Sequence, residues 1–262
     1  MPIRHIEHQG RVRRVIEVPG AGPTDTLVMF LHGSRQSGAV ARNFTAHTFD
    51  ALAAPGTTVI YPDGVGHHFN DLRTGFHESA RTEGIDDVGF LRTLIESYQP
   101  RRVIGCGFSN GGQMLLRMLF DAPSTLDGVA MFGSLMPTDD NLAVSTANYA
   151  PTPLLIVHGT ADPIVPYGGG EAGLGAANRG TVRSAAATAR YFARLNGSTS
   201  HSLAHPAPGV EVETFGGDHP VELVSIEGMG HLVPSPKRLD PRIGPGTDAV
   251  VGAELMRDFF GL

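Results

Sequence analysis

The sequence has a single cysteine, Cys106, so no internal disulfide can form. It has no tryptophan. It has no basic cluster, and a net charge of −6 argues against a partner met through nucleic-acid phosphates. No apolar run reaches the roughly 18 residues that a membrane span needs. Met1 to Gly20 contains no apolar stretch of the roughly 7–15 residues found in secretory leaders, so a cytoplasmic chain is the expectation. There is no His-Glu-x-x-His, and neither His67-His68 nor His77 shows ligand spacing. The twelve histidines therefore predict no metal site, and no cofactor is expected. No repeat, linker or low-complexity tail divides the 262 residues, which predict one domain, 1–262.

What remains is an ordinary globular composition, 41% hydrophobic and 18% charged. Arg4, Arg11, Arg13 and Arg14 make a basic start; three of them alternate with apolar residues, as on a solvated strand face. Arg11 to Val18 reads as an early, edge-like strand. Thr26 to Leu31 and Thr57 to Tyr61 are near-continuous apolar runs, which suit strands buried on both faces. A helical spacing runs from Val40 to Ala54. Val65 to Gly84 is irregular and rich in Gly and His, as functional loops often are. A helix opens at Asp86 or Asp87. Arg101 to Cys106 is a strand, Asn110 to Phe120 a helix, and Asp127 to Phe132 and Pro153 to His158 further strands. Gly168 to Gly180 is Gly-rich and reads as a mobile loop. Thr181 to Asn196 reads as a helix, Gly209 to Phe215 and Val221 to Glu227 as strands, and Thr247 to Phe260 as a closing amphipathic helix. Alternating buried strands and helices predict an α/β fold: a mostly parallel sheet with helices on both faces and little or no lid.

In such sheets the working residues sit at the carboxyl ends of strands. The chain is organised around one such end, Val103-Ile104-Gly105-Cys106-Gly107-Phe108-Ser109-Asn110-Gly111-Gly112. Here Gly-x-Ser-x-Gly lies between an apolar strand and an apolar helix, the setting of a nucleophile elbow. A serine hydroxyl needs a base within reach, and the base needs a group that fixes its tautomer. Ser109, Asp162 and His231 follow one another in the order Ser, Asp, His, each just after an apolar strand. Among the alternatives, Asp63 precedes the serine, Asp139 and Asp140 sit well into a loop, and Asp218 lies in a hairpin turn. His219, His201 and His205 do not follow the last strand, whereas His231 does and is flanked by Gly228 and Gly230. The backbone N–H of Asn110 and that of Ser34, or Arg35, are the expected oxyanion donors. His32 reads as a structural residue. Arg35, Phe69, Phe76, Leu135, Met136, Tyr167 and Leu232 are candidates for a pocket lining, each equally readable as packing.

Together these residues resemble the α/β-hydrolases of the polyhydroxybutyrate depolymerase type, a group that includes feruloyl esterases. The resemblance rests on Leu31-His32-Gly33, Tyr61-Pro62-Asp63-Gly64, Phe69-Asn70-Asp71, Asp86 to Leu91, Gly107 to Gly112, His158 to Tyr167 and Gly230-His231. It implies cofactor-free ester hydrolysis with Ser109 as nucleophile, Asp162 as orienter and His231 as base. Relatives usually carry Trp where Phe69 and Leu232 stand, and often Cys where Ser34 stands. With no appended polymer-binding domain in this chain, a soluble small or medium ester is expected as the partner. A thioesterase or lactone-processing enzyme would use the same residues; a non-catalytic scaffold would not require them. The oligomeric state is left open.

Overall fold

The structure, a computed structural model, describes residues 2–174 and 177–262. Ten strands form one sheet in the order β1-β2-β4-β3-β5-β6-β7-β12-β11-β10. In chain order they are β1 (Ile3–His8), β2 (Arg11–Val18), β3 (Thr26–Leu31), β4 (Thr57–Pro62), β5 (Arg102–Phe108), β6 (Gly128–Phe132), β7 (Leu154–Gly159), β10 (Ser200–Ala207), β11 (Val210–Gly216) and β12 (Val221–Ile226). A separate hairpin pairs β8 (Gly170–Leu174) with β9 (Ala177–Val182). Strands β4, β3, β5, β6, β7 and β12 are parallel neighbours; antiparallel pairs extend the sheet at both ends.

The central strands are buried on both faces because helices cover both. Alternate residues of β3 show the division. Leu27, Met29 and Leu31 enter one core with residues of α3 (Asp87–Glu96), α4 (Asn110–Asp121) and α5 (Ala185–Leu195). Val28 and Phe30 enter the other with Ala41 of α1 (Gly38–Phe44), Phe49, and Met256 and Phe260 of α6 (Gly252–Phe260). A short helix, α2 (Ser79–Thr82), interrupts the long loop after β4. No helix among the described residues is long and apolar enough to cross a membrane.

Several expectations are corrected. The edge strand is β1, so Arg11–Val18 lies one place further in. Arg13 is not solvated: it is buried, bonds Asp87 Oδ1 at 2.7 Å and stacks 4.0 Å from the Phe90 ring. The helix expected over 40–54 stops at Phe44. The Thr45 hydroxyl turns back onto the carbonyls of Ala41 and Arg42, and Ala46 and His47 take left-handed backbone. A 3-10 turn, Thr48–Leu52, follows. Thr181 and Val182 belong to β9, and α5 begins only after Ser184, whose side chain accepts from Ala187 N–H. The Gly168–Gly180 segment holds most of the β8–β9 hairpin; its residues 175–176 lie outside the described residues. The closing helix starts at Gly252 rather than Thr247. Strand β10 is additional to the expected strands, and spacing carries no signal for it because its first seven residues are exposed and show no alternation.

Candidate active site

Four strand ends meet at one edge of the sheet. Strand β5 turns sharply into α4 at Ser109, which has φ 51° and ψ −113°, a backbone conformation strained for any residue but glycine. Two glycines permit that turn. A Cβ on Gly107 would lie 2.5 Å from the Gly111 carbonyl carbon, and one on Gly111 would lie 2.1 Å from the Leu31 carbonyl oxygen. The turn is pinned on both sides of the serine. Ser109 N–H donates to Phe132 O at 2.9 Å, and its carbonyl accepts from Ser134 Oγ at 2.6 Å and from Gln113 N–H at 3.0 Å.

Asn110 is the first residue of α4, so its N–H has no intrahelical acceptor and sits at the positive end of the helix. Its side chain is fully buried and does separate work. Oδ1 accepts from Phe69 N–H at 2.8 Å, and Nδ2 donates to Phe69 O at 2.9 Å and to Asp71 Oδ2 at 2.7 Å. Thus the loop after β4 is tied directly to the elbow. On the facing loop, Arg35 N–H is taken by His67 O at 2.9 Å, which leaves Ser34 as the residue offering an N–H at the cavity wall. His32 lies behind that loop. Its Nδ1 meets Gly33 O at 2.8 Å and its Nε2 accepts from Gly64 N–H at 2.9 Å. Burial, only partly offset by the Gly33 carbonyl, pushes its pKa down to about 4, so it stays neutral as a structural strut.

Asp162 follows β7. Its Oδ1 accepts from the N–H groups of Ile164 and Val165, both at 2.8 Å, and its Oδ2 faces His231 Nδ1 at 2.8 Å. Burial alone would raise this carboxyl, but the charge and hydrogen bond of His231, with His158 and the Val165 N–H, together hold it below its ordinary value. His158, for which spacing carries no signal, supports the same carboxylate. It lies 3.4 Å from Asp162 Oδ2 and donates Nε2–H to Val165 O at 2.8 Å, while burial keeps it neutral by lowering its pKa.

His231 sits in a braced loop after β12. Its N–H meets Ile243 O at 2.6 Å, and a Cβ on Gly230 would lie 2.2 Å from that same carbonyl oxygen. The ring packs 4.9 Å from Phe108. With Nδ1–H committed to Asp162, Nε2 is the nitrogen left to accept a proton. Ser109 and His231 line one cavity of about 290 Å³ together with Ser34, Arg35, Gln36, Phe108, Ile164 and Val165.

Of the lining candidates, only Arg35 reaches this cavity. Phe69, Leu135, Met136 and Leu232 are core residues, and Phe76 is fully buried beside Ala80. Tyr167 borders a different cavity, where its hydroxyl meets Ser225 Oγ at 2.6 Å. The walls are built instead by Phe44 from α1, Arg73 from the loop after β4, Ala172, Gly173 and Arg179 from the hairpin, and Ile243. Alternation and spacing carry no signal for these, since they depend on how distant segments fold back over the sheet edge.

Residues 90–177 match the family described as Phospholipase/Carboxylesterase. The protein named "Putative esterase NocK" from Nocardia uniformis subsp. tsuyamanensis is 29% identical over 179 residues, covering 63% of this chain and 50% of that protein. The chain thus spans about half the length of this first curated relative. Carboxylesterase SOBER1 of Arabidopsis thaliana is 31% identical over 100 residues, 37% of this chain and 44% of that one. Among solved structures, the acetyl xylan esterase from Aspergillus awamori superposes with a TM-score of 0.63 at 15% identity, covering 100% of this chain and 99% of that one. The esterase PE8 follows at 0.59 and 18%, covering 94% and 96%. The architecture is the α/β-hydrolase fold.

Proposed function

We propose that the chain is a carboxylic ester hydrolase of the serine type, acting through Ser109, His231 and Asp162. One observation carries this reading: a buried carboxylate hydrogen-bonded to an imidazole whose other nitrogen is left for a cavity that it shares with a serine on a strained elbow. The similarity to carboxylesterases supports it. His231 Nε2 takes the Ser109 proton as Oγ bonds to the acyl carbon, and the carbonyl π pair moves onto oxygen. The N–H groups of Asn110 and Ser34 hold that oxyanion. The pair returns, the C–O bond to the alcohol breaks, and the imidazolium protonates the leaving oxygen. Water, deprotonated in turn by His231, attacks the acyl-enzyme, and the acid leaves as Ser109 regains its proton.

A cavity of about 290 Å³ fits a small or medium soluble ester better than an insoluble polymer chain. Within the esterases, the motif resemblance favours the polyhydroxybutyrate depolymerase and feruloyl esterase type. The test is the initial rate on 4-nitrophenyl esters from acetate to decanoate and on methyl ferulate, with the corresponding thioesters and a lactone alongside. Turnover by the native chain and none by Ser109→Ala supports the reading. Activity confined to thioesters or lactones moves the acyl donor but keeps the residues, and full activity in the variant overturns their roles.

A further inference from the structure

Three arginines, Arg35, Arg73 and Arg179, line the cavity beside Ser109, and no Asp or Glu among the described residues does. This is unusual placement in a chain whose net charge is −6. Arg73 is buried, with Nη2 at 2.5 Å from Asp71 Oδ2 and Nε at 3.2 Å from Asp71 Oδ1. Arg179 pairs through Nη2 with Glu78. Both guanidinium carbons stand against one ring, 5.6 and 5.1 Å from the Phe76 centroid, so one aromatic side chain packs against both cations. Arg35 is exposed at the rim, and no ion pair with it is found among the described residues. Asp71 and Glu78 pair with Arg73 and Arg179, which leaves Arg35 as the lining cation with no ion pair among the described residues. A guanidinium offers five N–H donors in a planar fork, and Arg179 commits one nitrogen to Glu78, leaving further donors. Besides the polar Ser34, Gln36, Ser109 and His231, the lining has an apolar part made by Phe44, Phe108, Ile164, Val165, Ala172 and Ile243.

Resting on the reading of the site as an esterase, we infer that its substrate is an ester bearing a free carboxylate. The carboxylate sits at Arg35, Arg73 and Arg179 while the apolar wall takes the hydrocarbon part. One guanidinium without an ion pair, that of Arg35, matches a monoanion rather than a phosphate dianion. The ester bond then lies at Ser109, within the same cavity, so the anionic group serves to place it.

The experiment compares matched pairs that differ only in that charge. The first is 4-acetoxybenzoate against its methyl ester, with the anion on the alcohol side. The second is the mono-4-nitrophenyl ester of adipate against its methyl diester, with the anion on the acyl side. The expected result is a kcat/KM ratio of ten or more in favour of the anion for at least one pair, carried mainly by KM. That ratio should fall toward one in Arg35→Gln and in Arg179→Gln, and should shrink in 0.5 M sodium chloride for the anion only. Ser109-dependent turnover with a ratio of one or less in both pairs overturns the inference and leaves the esterase reading standing. Absence of turnover on every ester counts against the esterase reading instead. Calorimetric titration with 4-acetamidobenzoate and its methyl ester, amides that need no turnover, then decides the binding claim. Tenfold tighter binding of the acid, lost in Arg35→Gln, sustains it, and equal binding of the two ends it.

Discussion

Asp162 presents one oxygen to His231 Nδ1 at 2.8 Å and rests the other on two backbone N–H groups, so the carboxylate is fixed before the imidazole is. Replacing it with Asn keeps the shape and removes the charge that selects the Nδ1–H tautomer. Asp162→Asn is expected to lower kcat by about 10³–10⁴-fold with little change in KM. Steady-state kinetics on 4-nitrophenyl butyrate checks this; a loss under tenfold would deny Asp162 its orienting role.

Ser109 stands at φ 51°, where glycine is at ease and serine is not. Ser109→Gly should therefore abolish turnover and at the same time raise stability, by about 1 kcal/mol after the entropy cost of glycine is counted. Urea denaturation followed by circular dichroism gives the sign. A destabilised variant would mean that the hydroxyl, rather than the backbone, dominates the energetics of the turn.

The close approach of α4 to β3 is testable by a matched pair of Gly→Ala changes. At Gly111 the new methyl would meet the Leu31 carbonyl at 2.1 Å, whereas at Gly168 nothing lies within 4 Å. Gly111→Ala should cost about 2–3 kcal/mol or more, and Gly168→Ala should stay within about 0.5 kcal/mol. Equal effects at the two sites would remove the steric account of the elbow.

Arg13 and Asp87 form a buried ion pair, and Asp87 Oδ2 also accepts from Asn70 N–H at 2.7 Å. Burial works to raise the Asp87 carboxyl despite the neighbouring guanidinium. Arg13→Met strands that carboxylate and is expected to cost about 3–5 kcal/mol. Arg13→Met/Asp87→Leu should recover a large part of the loss. A double variant as unstable as the sum of the singles would show that the pair is not coupled.

The stability of the chain should fall in mild acid. His32 has its folded pKa depressed to about 4 from 6.5. The unfolded state therefore binds a proton that the folded state refuses, and its stabilisation is complete above 6.5 and lost as pH falls toward 4. The expected loss over that window is about 3 kcal/mol. The buried His158 adds to it in the same direction. Denaturant titrations between pH 4 and 7.5 measure the slope, and His32→Gln should flatten it. An unchanged slope in that variant would assign the acid sensitivity elsewhere.

The parts of this molecule that are legible in its sequence are those with local signals. Continuous apolar runs mark the parallel strands, because both faces of each are covered. Gly107 and Gly111 mark the elbow, because a sharp turn admits no Cβ. Ser109, Asp162 and His231 each stand a few residues beyond such a run, and the sheet brings their strand ends together. Arg13 was misjudged because its partner is 74 residues away and nothing in the alternation around it signals burial. Arg179 likewise has its partner, Glu78, 101 residues away, and Arg73, although paired with the nearby Asp71, lines the cavity only through the fold of the loop after β4. Strand β10 went unread because an exposed edge need not alternate.

Asn141 fastens two segments far apart in the chain. Its Oδ1 accepts from Gly75 N–H at 2.9 Å, and its Nδ2 donates to Arg179 O at 3.0 Å and to Thr181 O at 3.1 Å. Chassis and coachwork are thereby separated. Ser109, Asp162 and His231 ride on strand ends, whereas Arg73 and Arg179 ride on panels clipped together by the Asn141 amide and by the Arg179–Glu78 pair. The hairpin can therefore change its length or its charge without shifting a strand end, so the cavity wall and the frame beneath it are free to vary separately.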